Sequence, residues 1–381
     1  MTKIKHHRGY IEGYYGRLLD WQDRADILAT LARLGMGRYF YAPKEDPCHR
    51  FDWRTPYDAD WRASFRAFTG KARELGIDVI AGIAPGLDYD FGDMGKGRDF
   101  DALSAKARQL ADDGAAVIGL LMDDLDPGFP GRSGGFAHEG AAHASLANAL
   151  AAAIDVPLNL TPRIYADDIT EGADGYLDQL AAGLDPDLDV VVCGKHIVAH
   201  DLSLDETAAV QAGIAKRRLI IWDNFYANDY CPRRLFVGPW RRHGLAPDQR
   251  LMLNPTGMVR TDQLLLELMT VDDDKGWRDA LKAHGVPDAF FAVADAFAQP
   301  PHPDQPDPDL TFDDPAAALA ALDELLWRWK TPLSREWYPF LMGLRQDILI
   351  TTGAADALRR RKILPPLLNN LAFNNPLDKT P

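Results

Sequence analysis

The chain alternates short apolar runs with longer segments in which apolar residues recur every three or four positions. The short runs are rich in β-branched and aromatic residues, which is typical of strands. They lie at residues 9–15, 38–42, 77–84, 116–122, 156–160, 190–194, 219–223 and 251–254. Most are continuous rather than alternating, as expected for a parallel sheet that is covered on both faces.

The longer segments predict amphipathic helices between these strands. They lie at residues 23–34, 60–75, 100–111, 140–154, 204–216 and 261–269. Because β-then-α units in a row are typical of parallel α/β folds, the pattern predicts a (β/α)8 TIM barrel, and we assign it to residues 1–270. A doubly wound open sheet is the alternative.

The pattern changes after Thr270 to helices without strands. A proline-rich stretch at about residues 299–308 fits neither a helix interior nor a central strand, so it is predicted to be a loop. Helical periodicity resumes at residues 316–330 and 334–349, which include the aromatic residues Trp327, Trp329, Trp337 and Tyr338. We therefore expect a small C-terminal helical region over residues 271–381 that packs on another surface.

Composition excludes several classes of protein. The 381 residues include 42 Lys and Arg against 56 Asp and Glu, a net charge of −14 that repels phosphate backbones and anionic lipid heads. We therefore expect neither nucleic acid nor a membrane as partner. No apolar segment is predicted to be a signal peptide or a transmembrane helix. Cys48, Cys193 and Cys231 lack disulfide-framework or zinc-site spacing, which favours a reducing, cytoplasmic location.

Two adjacent carboxylates, Asp123 and Asp124, follow the fourth predicted strand, where a barrel of this kind carries its active site. Neighbouring carboxylates cannot both ionise cheaply, so one is expected to have a raised pKa, as a general acid needs. Both reach the barrel mouth only if the strand breaks there, since consecutive strand residues face opposite ways. A helix cap or a solvated acidic loop is the alternative explanation.

A divalent cation held by Asp123, Asp124 and Asp126 is another alternative. The sequence has neither EF-hand spacing nor histidine partners for such a site, so we expect no metal and no cofactor.

The other strand ends supply aromatic faces and polar groups, a combination typical of carbohydrate sites. The aromatic residues are Tyr14, Tyr15, Tyr165, Trp222 and Tyr226, and the polar ones are Lys44, Asn224, Asp229 and Asn254. Taken singly, each has a simpler explanation, such as core packing for the aromatics or an ion pair with Glu45 or Asp46 for Lys44. His49 is expected at the surface.

Together these motifs resemble the O-GlcNAcases, the β-N-acetylglucosaminidases of glycoside hydrolase family eighty-four. The similarity is carried by residues 11–17, 41–46, 84–88, 121–126, 222–230 and 253–255, in the family's order. Six motifs in register are far more specific than one short pattern.

The resemblance implies a barrel that removes terminal β-linked GlcNAc, including O-GlcNAc on Ser or Thr, with retention and without an enzyme nucleophile. The sugar's 2-acetamido oxygen would attack the anomeric carbon and form an oxazoline. Asp123 would orient the acetamido group, and Asp124 would protonate the leaving oxygen and then activate water. Adjacent carboxylates suit this route, because an ordinary retaining pair flanks the anomeric carbon at about 5–5.5 Å.

The resemblance also implies the substrate contacts. Sugar hydroxyls and the ring would be bound by Gly13, Lys44, Asn224, Asp229 and Asn254, with Tyr165 and Trp222 lining the acetamido pocket. The expected partner is a GlcNAc-bearing glycoconjugate or glycopeptide, and the C-terminal helices are candidates for a homodimer contact. A catalytically silent sugar-binding barrel, a metal-dependent barrel hydrolase and an inverting enzyme with Asp229 as base are the alternatives.

Overall fold

The computed structural model describes residues 7–353, apart from residues 94, 96, 128, 130–132, 215–218, 241–243, 246–248 and 307–311. Eight parallel strands form a closed barrel in sequence order. They are β1 (Arg8–Glu12), β2 (Arg38–Tyr41), β3 (Asp78–Ile83), β4 (Val117–Leu121), β5 (Leu158–Thr161), β6 (Asp189–Val192), β7 (Leu219–Asp223) and β8 (Arg250–Leu253). Because β1 pairs with both β2 and β8, the predicted TIM barrel is confirmed and the open sheet is excluded.

Seven helices follow strands of the barrel. They are α1 (Trp21–Leu34), α2 (Ala59–Glu74), α3 (Arg98–Asp112), α4 (Glu139–Ala153), α5 (Tyr176–Gly183), α6 (Ala208–Gln211) and α7 (Val259–Leu268). The sequence pattern missed α5, and the helix predicted at residues 204–216 is limited to α6 in the part of it that is described. None of the described helices has the length and apolar character needed to cross a membrane.

Local sequence signals explain where these helices begin and end. In α1 the Asp20 carboxylate accepts a hydrogen bond from the backbone N–H of Asp23, which satisfies one of the unpaired donors of the first turn. Gly35 ends the helix with φ of 69°, a left-handed conformation that suits glycine. The buried residues of α1 include Ile27, Leu28 and Leu31, which follow the helical spacing that the sequence predicted.

The strand residues alternate between two hydrophobic cores. Tyr10, Tyr39 and Val79 belong to the larger core, which includes the barrel helices. Their strand neighbours Ile11, Phe40, Ile80, Leu121, Val191, Ile220 and Met252 form the second core. Since alternate strand residues face opposite sides, this second core fills the barrel interior. The barrel is therefore packed, and functional side chains are confined to its mouth.

The described part of the C-terminal region is helical, as predicted, and packs on the barrel; residues 354–381 of the predicted region lie outside the described residues. It contains α8 (Asp274–Ala283), α9 (Pro315–Trp327) and α10 (Pro332–Thr351), with short 3-10 helices at Asp288–Ala292 and Ala294–Phe297. The Glu336 carboxylate of α10 accepts the backbone N–H of Arg260 and of Thr261 at 3.0 and 2.7 Å. An acidic group at the start of α7 accepts hydrogen bonds from otherwise unpaired backbone N–H groups and interacts favourably with the positive end of the helix dipole. In this way α10 stabilises a helix of the barrel.

Candidate active site

A cavity of about 530 Å³ opens at the C-terminal ends of the strands. The nine residues to which the resemblance assigned a catalytic or substrate-binding role all line it: Gly13, Lys44, Asp123, Asp124, Tyr165, Trp222, Asn224, Asp229 and Asn254. These residues follow six different strands, as is usual for the active site of a TIM barrel. The structure thus brings together residues that are more than 240 positions apart in the chain.

The strand that carries the acidic pair breaks just before it. β4 ends at Leu121, and Asp124 has φ of 53°, the only positive φ at a non-glycine residue among those described. A left-handed conformation of this kind costs about 1–3 kcal/mol at a residue with a side chain. The break allows Asp123 and Asp124 both to line the cavity, as the sequence argument required.

Lys44 places one positive charge beside both members of the acidic pair. Its buried ammonium group pairs with Oδ2 of Asp123 and lies 3.5 Å from Oδ2 of Asp124. The simpler explanation, an ion pair between Lys44 and Glu45 or Asp46, is not what the structure shows. A fixed cation beside both carboxylates also disfavours a divalent metal at the same place. Among the described residues, no group of three or more His, Cys, Asp or Glu side chains is arranged to bind a metal.

Two phenols and a guanidinium hold Asp124. Tyr15 donates its hydroxyl to Oδ2 at 2.7 Å, and Tyr165 donates to Oδ1 at 2.8 Å. Arg50 donates to the backbone carbonyl of Asp124 at 2.9 Å. Burial raises the pKa of both Tyr15 and Tyr165, so these phenols stay protonated and act as donors.

The carboxyl of Asp124 ionises more easily than expected. Burial by itself would raise its pKa, but the ammonium of Lys44, the hydrogen bonds from Tyr15 and Tyr165 and the charge of Arg50 bring that pKa below its usual range. The prediction of a raised pKa within the pair is therefore wrong for Asp124. The sequence argument counted the neighbouring carboxylate and could not count donors that arrive from β1, β2 and β5.

Two buried oxygens at the cavity have no partner among the described residues. They are Oδ1 of Asp123 and Oγ1 of Thr161. A buried polar atom without a hydrogen bond costs about 1–3 kcal/mol, so such atoms are rare outside functional sites. A ligand with an N–H group offers the donor that Asp123 lacks.

A chain of side-chain amides ties four strand ends together. Gly13 N–H donates to Asn254 at 3.1 Å, Asn254 donates to Asn224 at 2.9 Å, and Asn224 donates to the carbonyl of Ile197 at 2.9 Å. The indole N–H of Trp222 also donates to Asn224, at 2.8 Å. Asn224 therefore orients Trp222 and Asn254.

Gly13 is required at its position for steric reasons. A Cβ there would lie 2.4 Å from Cζ2 of Trp222, closer than any real contact. The indole of Trp222 is thus packed directly on the backbone of Gly13, and both residues line the cavity.

Asp229 stands beyond Tyr15. It accepts the backbone N–H of Tyr15 at 2.9 Å and that of Tyr230 at 2.9 Å. Since the phenol of the same tyrosine reaches Asp124, the side chain of Tyr15 spans the gap between the two carboxylates.

Three sequence expectations about the strand ends are wrong. Tyr14 and Tyr226 are fully buried in the core and bond to Tyr10 and to the carbonyl of Gly238, so they do not line the cavity. His49 is buried rather than exposed, with Nδ1 at 2.9 Å from the carbonyl of Gly82, and burial lowers its pKa to about 3. Position after a strand does not determine whether a loop side chain turns inward or outward.

The structure adds cavity residues that the sequence argument had not selected. They include Thr161, Asp168, Cys193, Ile197, Pro301 and Pro303. Thr161 and Cys193 lie at strand ends and could have been found by counting inward-facing positions. The two prolines come from the C-terminal region, and no local signal relates them to the barrel.

The comparisons with known proteins agree with this geometry. The profile of the beta-N-acetylglucosaminidase family matches residues 8–267, which contain the whole barrel and most of the cavity. The chain belongs to the beta-N-acetylglucosaminidase family. The family name describes a glycoside hydrolase, the class of enzyme that the motifs indicated. This beta-N-acetylglucosaminidase barrel holds every predicted cavity residue within the matched region.

Two curated relatives of this beta-N-acetylglucosaminidase chain are the proteins named Protein O-GlcNAcase from Rattus norvegicus and Mus musculus. Each is 30% identical to it over 242 residues, which is 61% of this chain and 26% of the relative. The chain thus spans about a quarter of the length of these relatives.

The role of Lys44 can be tested through the pH dependence of hydrolysis. Because Lys44 lowers the pKa of Asp124, Lys44→Met should raise that pKa. If Asp124 must be protonated to act, the alkaline limb of kcat/KM should move to higher pH, since kcat/KM reports ionisation of the free enzyme. The control is Lys71→Met, which removes an exposed lysine of α2. A limb that stays in place would contradict the coupling.

Proposed function

We propose that the chain is an exo-β-N-acetylglucosaminidase that hydrolyses terminal β-linked GlcNAc, including O-GlcNAc on Ser or Thr. The observation that carries the proposal is the adjacent pair Asp123 and Asp124 with an unpartnered oxygen on Asp123. Both carboxylates follow the same strand, so they approach a bound sugar from one side. A nucleophile on the other face is supplied by the substrate, through its 2-acetamido oxygen.

In this route the sugar itself forms the first intermediate. The acetamido oxygen attacks the anomeric carbon while the bond to the leaving oxygen breaks and Asp124 gives that oxygen a proton. Oδ1 of Asp123 accepts the acetamido N–H and stabilises the positive charge that develops on the oxazoline ring. Water then opens the ring with Asp124 as base, so the β configuration is retained.

The lowered pKa of Asp124 suits the second step of this route, in which water is activated. Lys44, Tyr15 and Tyr165 favour the carboxylate, which is the form that activates water. For the acid half, Asp124 needs a proton while substrate is bound. A sugar that fills the cavity excludes water from Asp124, and desolvation raises the pKa of a carboxyl group.

The exo action is assigned to the opposite end of the cavity. Asp229 lies one tyrosine side chain away from Asp124, a gap suited to a single pyranose ring. A carboxylate at that end accepts hydroxyl groups of a non-reducing terminus and leaves little room for a further sugar. Lys44, Asn254 and the backbone of Gly13 complete the contacts to the ring, with Trp222 and Tyr165 beside the acetamido group.

The remaining partner assignments are proposals too. The names of the two mammalian relatives support a glycoprotein substrate.

The three cysteines are free, which agrees with a reducing, cytoplasmic location. A homodimer through the C-terminal helices is supported by an exposed aromatic pair there, Trp327 and Tyr338, whose rings lie 6.3 Å apart.

The direct test is hydrolysis of an aryl β-GlcNAc beside the matching aryl β-glucoside, with EDTA present. Turnover of the GlcNAc compound alone is expected, because only that sugar carries the acetamido nucleophile. Turnover of neither would support a sugar-binding barrel, and loss of activity with EDTA would indicate a metal-dependent hydrolase. The anomer released first, observed by NMR, should be β, whereas an inverting enzyme would release α.

The acid role of Asp124 predicts a dependence on the leaving group. Asp124→Ala should lower kcat/KM by about 10²–10⁴-fold for a GlcNAc glycoside with a poor leaving group and far less for an activated aryl glycoside. The control is Asp126→Ala, which removes a carboxylate from the same loop. Equal losses on both substrates would argue against proton donation by Asp124.

The proposed contact of Asp123 predicts a loss for every leaving group. Asp123→Ala should lower kcat by about 10²-fold or more on both kinds of substrate, because the charge on the oxazoline loses its stabilising group. It should also weaken binding of a GlcNAc-derived thiazoline, which mimics the oxazoline. Calorimetric titration that finds unchanged thiazoline affinity would refute the assignment.

A further inference from the structure

One wall of the cavity comes from outside the barrel. We call residues 299–306 the strap; they are the described part of the proline-rich stretch. Pro301 and Pro303 of the strap line the same cavity as Asp123 and Asp124, although they follow the barrel's last helix, α7, by more than 30 positions. The loop predicted from the sequence therefore completes the active site of a barrel to which it does not belong.

The strap is attached to the loop that follows β6. The carbonyl of Pro300 accepts a hydrogen bond from His200 at 3.1 Å. Oδ2 of Asp304 accepts Nζ of Lys195 at 3.0 Å and lies 3.2 Å from Nε2 of His196. These contacts hold the strap at both ends of the short segment that carries the two cavity prolines.

The composition of the strap makes it stiff. Pro300, Pro301, Pro303 and Pro306 each restrict the backbone φ to about −65°. A wall made of prolines loses little conformational entropy when a ligand packs against it, so even a modest apolar contact there contributes to binding.

The strap is connected to Asp124 through the loops after β6 and β5. Asp304 of the strap lies 3.2 Å from Nε2 of His196, and His196 contacts Asp168 of the β5 loop at 3.6 Å. The same loop carries Tyr165, which donates to Asp124. If Asp124 protonates the glycosidic oxygen, an aglycone that extends from that oxygen across the β5 loop meets the strap on this side of the cavity.

The chemistry of this side is apolar and acidic. Pro301 and Pro303 stand with Ile197 and Val198 of the β6 loop in the cavity lining. Asp168 adds a negative charge to the same lining. The ammonium of Lys195 is already paired with Asp304, which also lies 3.2 Å from Nε2 of His196. An aglycone therefore meets an apolar surface beside a carboxylate, which repels acidic side chains.

We propose that the strap selects the aglycone: Pro301 and Pro303 form a rigid apolar wall that favours uncharged peptide with apolar side chains next to the glycosylated Ser or Thr and disfavours acidic peptide. This inference rests on the proposed function and names the class of substrate for the same site. The two prolines contact the aglycone and not the sugar, so they affect binding of large substrates and leave the chemical step unchanged.

The test compares three GlcNAc substrates: methyl β-GlcNAc, a GlcNAc-Ser peptide flanked by Val and Ala, and the same peptide flanked by Glu. In the unmodified protein, kcat/KM should be about tenfold higher for the apolar than for the acidic peptide. The double variant Pro301→Gly, Pro303→Gly should raise KM for the apolar peptide about five- to tenfold. The double variant should leave kcat for the peptide, and both kcat and KM for methyl β-GlcNAc, within about twofold of the unmodified protein. The lost proline contacts affect only a substrate whose aglycone is large enough to reach them.

Two further variants separate the wall from the loop as a whole. Pro306→Gly alters an exposed strap proline that does not line the cavity, so it should behave like the unmodified protein. Asp304→Ala removes the ion pairs with Lys195 and His196 and should raise KM for the apolar peptide in the same direction, by a smaller factor.

The strap inference is overturned if the double variant leaves the KM of the apolar peptide unchanged, if it impairs methyl β-GlcNAc equally, or if the acidic peptide is preferred. In each of these results the unmodified protein still turns over methyl β-GlcNAc, so the proposed function stands. Absence of turnover of all three substrates by the unmodified protein would instead reject the proposed function, and the strap inference with it.

Discussion

The active site depends on one ion cluster, the buried ammonium of Lys44 with the buried carboxylate of Asp123 and the more exposed carboxylate of Asp124. Burying Lys44 or Asp123 without an opposite charge would cost several kcal/mol, so each of these two groups needs the other. Lys44 lets two adjacent carboxylates occupy one turn, and it lowers the pKa of Asp124. The left-handed backbone at Asp124 is held in place by the donors on its side chain and carbonyl. A local strain is thus maintained by contacts from three other loops.

The amide chain from Gly13 to Ile197 gives the cavity a rigid floor. Each amide in it is bonded at both ends, so Trp222 and Asn254 are oriented before any ligand arrives. Preorganised groups of this kind spend no energy on rearrangement when substrate binds, which favours catalysis over simple binding. Oδ1 of Asp123, a buried oxygen without a partner among the described residues, belongs to the lining of the same cavity, where the proposed acetamido N–H would supply the missing donor.

The C-terminal region contributes contacts to the barrel and residues to the cavity lining. Glu336 binds the first turn of α7, and the strap supplies Pro301 and Pro303 to the cavity. The family match ends at residue 267, so the strap lies outside the part of the chain that defines the family. The groups proposed to be catalytic thus lie in the matched barrel, whereas part of the surface proposed to meet the aglycone comes from outside the match.

Sequence alone determined the barrel, its eight strands to within a few residues, and all nine residues assigned to the cavity. Strand periodicity is local, and functional side chains must follow the ends of parallel strands, so both could be read along the chain. Only the tertiary structure decided the inward turn of Tyr14 and His49, the lowered pKa of Asp124 and the docking of the strap. Each of these depends on partners distant in sequence, because burial and electrostatics are set by what packs around a residue in space.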